Sequence, residues 1–225
     1  MDFAELLESK AFTRTRLPLS KPIVVHAVAG AGKTSLLENY ARINPAARIY
    51  TPIAQQSNSL LLSPFTQSLE QADIVDEYPL STLHPGVEYV LADPIQYLGS
   101  KDLLKPHYIC PTTHRFGHST AEFLTSLGIE TYAHKPDRLT IANIFKTEPH
   151  GQVIACDLDT QQLAARHSLD YLRPCQSIGK TFKDTTILIS HELNRDTLTK
   201  EIYIALTRHT NSVTILTPDA PSTSS

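Results

Sequence analysis

The run Val24-Val25-His26-Ala27-Val28-Ala29-Gly30-Ala31-Gly32-Lys33-Thr34 constrains this chain more than any other segment. A β-branched apolar stretch feeds a loop of small residues, and the loop ends in Gly-Lys-Thr where a helical pattern begins. That order predicts a strand, a phosphate-cradling turn and a helix whose positive N-terminal end faces an anion. Small residues let backbone N–H groups approach phosphate oxygens. Lys33 adds charge at the β/γ-phosphates, and the Thr34 hydroxyl is a ligand for Mg²⁺. Ala27 stands where the usual G-x-x-x-x-G-K-[ST] pattern has its first glycine, while Gly30 and Gly32 remain where the loop turns tightest. The expected nucleotide-binding set is Gly30, Ala31, Gly32, Lys33 and Thr34, with ATP and Mg²⁺ as cofactors.

A triphosphate site of this kind needs a carboxylate partner. No Lys or Arg occurs from Ile49 to Ser100, whereas Glu70, Asp73, Asp76, Glu77, Glu88 and Asp93 all fall there. Asp76 and Glu77 end the apolar run Ala72-Asp73-Ile74-Val75. In an open parallel sheet the C-terminal ends of strands form the ligand crevice. Asp76 is therefore assigned to Mg²⁺ and Glu77 to the general base that takes a proton from the attacking water. Taken alone, an Asp-Glu pair ending a strand is equally a solvated turn; downstream of Gly-Lys-Thr the functional reading is favoured. Gln96, in Ala92-Asp93-Pro94-Ile95-Gln96, follows the next strand and reaches towards a γ-phosphate.

Strand-like runs (Ile23–Val28, Ala47–Tyr50, Asp73–Val75, Glu88–Leu91, His107–Cys110, Gln152–Cys156, Thr185–Ser190, Ser212–Leu216) alternate with helix-like ones (Thr34–Ile43, Ser119–Ser126, Thr160–His167, Thr197–Thr207). Alternation of this type predicts an α/β fold with mostly parallel sheets. The expected organisation is an amphipathic and basic N-terminal segment over 1–21 and a first domain over 22–116. A second domain follows over 117–216, and then a Pro/Ser/Thr-rich disordered tail over 217–225. The 225 residues, 41% of them hydrophobic, suffice for a real core, and no apolar run approaches the ~18 residues of a membrane span. The N-terminus is not built as a secretory signal. Three cysteines without a CxxC fit a reducing compartment. A net charge of −3 means that any nucleic-acid binding is local rather than a bulk basic field.

Gly-Lys-Thr, then Asp76-Glu77-Tyr78, then Ala92-Asp93-Pro94-x-Gln96, resembles the superfamily 1 helicases of positive-strand RNA viruses. Thr113-His114-Arg115-Phe116 is similar to that family's segment whose Arg contacts the γ-phosphate. Pro174-Cys175-Gln176-Ser177-Ile178-Gly179-Lys180-Thr181-Phe182 is similar to its RNA-coupling segment, with two extra residues, Ser177 and Ile178, between Gln176 and Gly179. Tyr203-Ile204-Ala205-Leu206-Thr207-Arg208-His209 matches its last motif, in which Arg208 is the arginine finger. Tyr50-Thr51-Pro52 is a weaker match to an RNA-contacting segment. The resemblance implies two tandem RecA-like domains with nucleotide in the cleft between them. It adds Arg115 and Arg208 to the catalytic set of Lys33, Glu77 and Gln96, and Gln176 and Gly179 to the nucleotide-binding set. Thr51, Arg173, Lys180 and Lys183 are RNA-binding candidates, the last three equally readable as solvated surface charges.

The wording of the phosphate loop and the chain size resemble the triple gene block movement proteins of potexviruses and carlaviruses. That resemblance implies an RNA-stimulated ATPase of helicase type that binds single-stranded RNA, self-associates, aids cell-to-cell movement and suppresses RNA silencing. The implied partners are the viral coat protein and the two small membrane-bound triple gene block proteins. The implied location is host cytoplasm at plasmodesmata, without membrane insertion. The short chain leaves little room for a strand-separating wedge, so poor unwinding of long duplexes is expected. An alternative is a nucleotide-gated RNA-binding and assembly protein. A GTPase reading is weak because Asn194-Arg195-Asp196 is not the guanine-reading Asn-Lys-x-Asp.

Two further groups carry sharper and blander readings. His107-x-x-Cys110 with His114 and His118 has zinc-like spacing, but Arg115 in its midst would crowd a cation. His26 reads as a packed core or cleft histidine, and Tyr50, Tyr78, Tyr89 and Tyr97 as core and rim.

Overall fold

The computed structural model describes residues 2–52 and 68–218. The chain forms two compact units, Met1–Pro111 and Thr112–Ser225. Thr113–Phe116 therefore lies with the second unit, five residues ahead of the boundary expected from sequence. Of the disordered tail expected over 217–225, Thr217 is instead the last residue of a strand, and residues 219–225 fall outside the described residues.

The first unit runs α1 (Phe3–Ser9), β1 (Thr13–Arg14), β2 (Ile23–Ala27), α2 (Lys33–Ile43), β3 (Ile49–Tyr50), β4 (Ile74–Val75), β5 (Tyr89–Ala92) and β6 (Tyr108–Cys110). Its six strands form one sheet in the order β1-β6-β2-β5-β4-β3. All pairs are parallel except β1 with β6. β2 lies in the interior, with Val24 opposite Val90 of β5 and His26 opposite Ile109 of β6. Alternation along β2 supplies both faces: Val25 and Ala27 join a core with Leu36 and Leu37 of α2, while Val24 joins a second core with Val75, Tyr78 and Val90. The N-terminal segment belongs to this unit. Phe3, Leu6 and Leu7 of α1 are buried in the α2 core, and the Phe3 ring sits edge-on to Tyr40 and Tyr89.

The second unit runs β7 (Thr112–Thr113), α3 (His118–Ser126), β8 (Tyr132–Ala133), β9 (Arg138–Asn143), β10 (Gln152–Ala155), α4 (Leu158–Arg166), α5 (Pro174–Ser177), β11 (Phe182–Leu188), α6 (Lys200–Leu206) and β12 (His209–Thr217). β10, β11, β12 and β9 form a wholly parallel sheet in that order, and β7 pairs with β8. Three of the differences from the sequence expectation have a local physical reason. β9 was not anticipated: it is an edge strand whose Arg138, Thr140 and Ile141 are exposed, so it lacks the apolar run that marks its neighbours. α6 begins at Lys200 rather than Thr197. Asn194 Oδ1 accepts the N–H groups of Asp196 and Thr197 in a turn, and Thr199 then caps the helix by accepting Ile202 N–H at 3.3 Å. β11 starts three residues early, at Phe182, whose N–H donates to the Arg208 carbonyl. Among the described residues no helix is long and apolar enough to cross a membrane.

Candidate nucleotide-binding site

The loop after β2 has the backbone its sequence demands. Gly30 (φ 77°) and Gly32 (φ 89°) both occupy the left-handed region. A Cβ at Gly32 would meet nothing within 4 Å, so glycine is required there by conformation rather than space. Ala27 is the last residue of β2 and 2% exposed, with its methyl in the α2 core. Its backbone is ordinary strand, which is why alanine serves where the motif usually has glycine. Lys33 opens α2 and turns back, so that Nζ donates to the Ala27 carbonyl at 3.0 Å and the ammonium is held at the centre of the loop. Thr34, one residue on, is exposed.

Asp76 leaves the C-terminal end of β4, where its N–H donates to the Tyr50 carbonyl at 2.8 Å. Its side chain is buried, and Oδ1 has no hydrogen-bond partner among the described residues. Burial pushes the carboxyl upward from its usual range. Glu77 pushes the same way, and the Lys33 ammonium opposes both, which places Asp76 in the electrostatic field of the loop. A buried carboxylate oxygen lacking a donor is costly unless a cation or donor meets it, so Asp76 with the Thr34 hydroxyl fits a divalent metal.

Glu77 is buried and holds a left-handed backbone (φ 48°, ψ 45°), rare for a side chain with a Cβ. The Tyr97 hydroxyl donates to Glu77 Oε2 at 2.8 Å. Burial, then the Glu77 charge, drives the Tyr97 phenol well above its ordinary range, so it remains a donor. Tyr97 closes the single turn Pro94–Tyr97 after β5. Asp93 caps that turn at Ile95 N–H and also accepts from Gln96 Nε2 at 2.9 Å. His26 Nε2 lies 3.1 Å from the Tyr78 hydroxyl, which accepts Leu104 N–H at 2.8 Å. Burial, aided by Lys33, lowers the His26 pKa to about 4, so the ring is neutral near pH 7. It is a packed histidine of the β2 interior. His107 is likewise structural: its Nδ1 accepts Val24 N–H at 2.9 Å.

In the second unit, Arg115 Nη1 donates to the Thr207 carbonyl at 3.3 Å, and Arg208 Nη2 donates to the Thr207 hydroxyl at 3.3 Å. Arg208 is 2% exposed, and its Nε also donates to the Ile204 carbonyl at 2.9 Å. Both arginines thus gather at the end of α6. Gly117, just after the Arg115 segment, has no room for a side chain, since a Cβ would lie 2.5 Å from the Lys135 carbonyl oxygen. Gln176 lies on α5, which packs on α6. Its Oε1 accepts Arg173 N–H at 2.9 Å, and Gly179 follows at φ 77°. Arg173, Lys180 and Lys183 are exposed, while Thr51 follows β3 in the first unit and is 8% exposed.

The fold thus brings Gly30–Thr34, Asp76, Glu77 and Gln96 onto one unit, and Arg115, Gln176, Gly179 and Arg208 onto the other. Sequence reasoning missed two supports. Tyr97 was read as core or rim, although its place one residue after Gln96 was the available signal. The Asp137 carboxylate, 3.0 Å from Nε2 of His209 directly after Arg208, gave no local signal, because the two residues are far apart in sequence.

Residues 23–217 match the viral superfamily 1 RNA helicase core domain. The chain is 35% identical over 229 residues to the movement and silencing protein TGBp1 of Papaya mosaic potexvirus, covering 99% of this chain and 97% of that one. It is 39% identical over 207 residues to its counterpart from Lily virus X, covering 91% and 94%. Among solved structures, the arterivirus nonstructural protein 10 helicase, in complex with DNA, aligns with TM-score 0.52 and 16% identity. The PRRSV helicase aligns with TM-score 0.55 and 17% identity. These two alignments cover 96% and 90% of this chain but only 57% and 55% of the helicases, so the chain spans little more than half of their length and shares the fold alone. With its core matched almost end to end and its relatives matched over nearly their full length, the chain belongs to the viral superfamily 1 RNA helicase family, among the TGBp1 movement and silencing proteins.

Proposed function

We propose that the chain is an RNA-stimulated NTPase that acts in viral cell-to-cell movement and in suppression of RNA silencing. The observation that carries the catalytic part is Asp76 Oδ1, a buried carboxylate oxygen that has no donor among the described residues and lies in the field of the Lys33 loop. Thr34 and Asp76 would hold Mg²⁺, which when bound supplies charge neutralisation at the β/γ-phosphates. The backbone of Gly30, Ala31 and Gly32 cradles the phosphates, and Lys33 exchanges its bond to the Ala27 carbonyl for phosphate oxygens. Glu77 orients the attacking water and accepts its proton, while Gln96 contacts the γ-phosphate. Arg115, Gln176, Gly179 and Arg208 come from the second RecA-like half when the two halves close on nucleotide. An arginine in the role of Arg208 is worth ~10³–10⁵ in rate, so turnover depends on closure.

Single-stranded RNA spanning both halves, through Thr51, Arg173, Lys180 and Lys183, favours closure and thereby stimulates turnover. By linkage nucleotide then alters RNA affinity. The names of the relatives support the movement and silencing roles. Self-association, the coat protein and the two small membrane-bound triple gene block proteins are the proposed partners, at plasmodesmata in host cytoplasm. The test is binding of a fluorescent ATP analogue, with and without Mg²⁺, to wild type, Lys33→Ala and Asp76→Asn. Loss of the Mg²⁺-dependent gain in Asp76→Asn supports the site, and an undiminished gain overturns it.

A further inference from the structure

Resting on that reading of the site, we infer that Tyr97 is a positioning residue for the general base Glu77. Glu77 combines three properties: it is buried, its backbone is left-handed, and its Oε2 receives the Tyr97 hydroxyl at 2.8 Å. A residue with a Cβ holds φ near 50° only where its surroundings over-determine it. At Glu77 the chain turns at once into Tyr78–Leu80, and Leu80 N–H closes on the Glu77 carbonyl at 3.0 Å. That bond fixes the main chain and not the direction of the carboxylate about its side-chain torsions. The Tyr97 hydroxyl pins one carboxylate oxygen and so helps to set the direction of the other.

The pin is itself anchored. Tyr97 ends the turn that Asp93 caps, and the Asp93 carboxylate also receives Gln96 Nε2. The Tyr97 ring packs against the core that holds Val75, Tyr78 and Val90. The hydroxyl therefore reaches Glu77 from a second strand end, β5, across from the strand that delivers Glu77. A base held from two strand ends directs a water more narrowly than one held from its own backbone alone. Tyr97 touches neither nucleotide nor water in this role and acts through Glu77.

The test is steady-state ATP hydrolysis by wild type, Tyr97→Phe, Glu77→Gln and the double variant, with binding of a fluorescent ATP analogue as the measure of an intact site. Tyr97→Phe keeps the ring and deletes the pin. The expected result is a fall in kcat of about tenfold with KM and analogue binding unchanged, and no further fall when Tyr97→Phe is added to Glu77→Gln. Unchanged kcat in Tyr97→Phe, a rise in KM instead, or losses that multiply in the double variant overturn the inference. Wild-type protein without turnover overturns the hydrolase reading and this role with it. Turnover that Glu77→Gln abolishes and Tyr97→Phe leaves intact overturns this role alone.

Discussion

The Asp137 carboxylate lies 3.0 Å from Nε2 of His209, and neither side chain has any solvent exposure. The other Asp137 oxygen accepts Ser119 N–H at 2.8 Å, at the start of α3, and Thr120 Oγ1 lies 3.2 Å from the same His209 nitrogen. One pair thus ties the N-terminus of α3 to the first residue of β12, directly after Arg208. An anion at a helix N-terminus is favourable, and a carboxylate fed by several donors is a strong acceptor. Burial works against ionisation of Asp137, but the hydrogen bonds from His209, Thr120 and the Gly117 backbone hold it well below the usual carboxylate range.

Asp137→Asn is therefore expected to destabilise the protein by about 2 kcal/mol at neutral pH. The sign follows from a depressed folded pKa. The stabilisation is present above the ordinary carboxylate pKa of about 3.9 and is lost as pH falls below it. Urea unfolding of both proteins at pH 7 and at pH 3 measures this, and the gap between them is expected to shrink at the lower pH.

Ala27→Gly restores the commoner motif and is expected to leave turnover within about twofold of wild type, because Lys33 Nζ meets Ala27 through its carbonyl, which glycine keeps. It should lower stability by about 1–2 kcal/mol, through lost methyl burial and added freedom in an interior strand. Thermal melts alongside ATPase assays check both halves of the prediction.

His26 has a folded pKa lowered to about 4 by burial and by Lys33. A base whose folded pKa is depressed contributes stability that is complete above its unfolded pKa of about 6.5 and is lost as pH falls towards the folded value. Wild type should thus lose about 2–3 kcal/mol between pH 6.5 and pH 4 through this group. His26→Gln should flatten that part of the stability curve, as read by denaturant titrations across the window.

The phosphate loop was legible because its chemistry is local: small residues, a turn and a helix start lie within eleven positions. The placement of Asp76, Glu77 and Gln96 just beyond strand C-terminal ends was legible because each follows an apolar run. β9 was not, since an exposed edge strand has no reason to carry an apolar run, and Arg138 to Asn143 reads as loop. The meaning of Ala27 was also hidden. Sequence shows a glycine replaced, but only the backbone shows that the position needs no glycine freedom. The Tyr97 contact with Glu77 and the Asp137 contact with His209 join residues 20 and 72 positions apart, a distance over which no pattern of spacing speaks.

Steady-state ATP hydrolysis with and without single-stranded RNA, comparing wild type, Lys33→Ala and Arg208→Ala, is the decisive measurement. The expected result is Mg²⁺-dependent turnover that RNA stimulates in wild type and that both variants lose, with Arg208→Ala still binding the nucleotide analogue. Wild-type protein that binds nucleotide but turns it over negligibly, with or without RNA, would contradict it and leave a nucleotide-gated RNA-binding and assembly protein in its place.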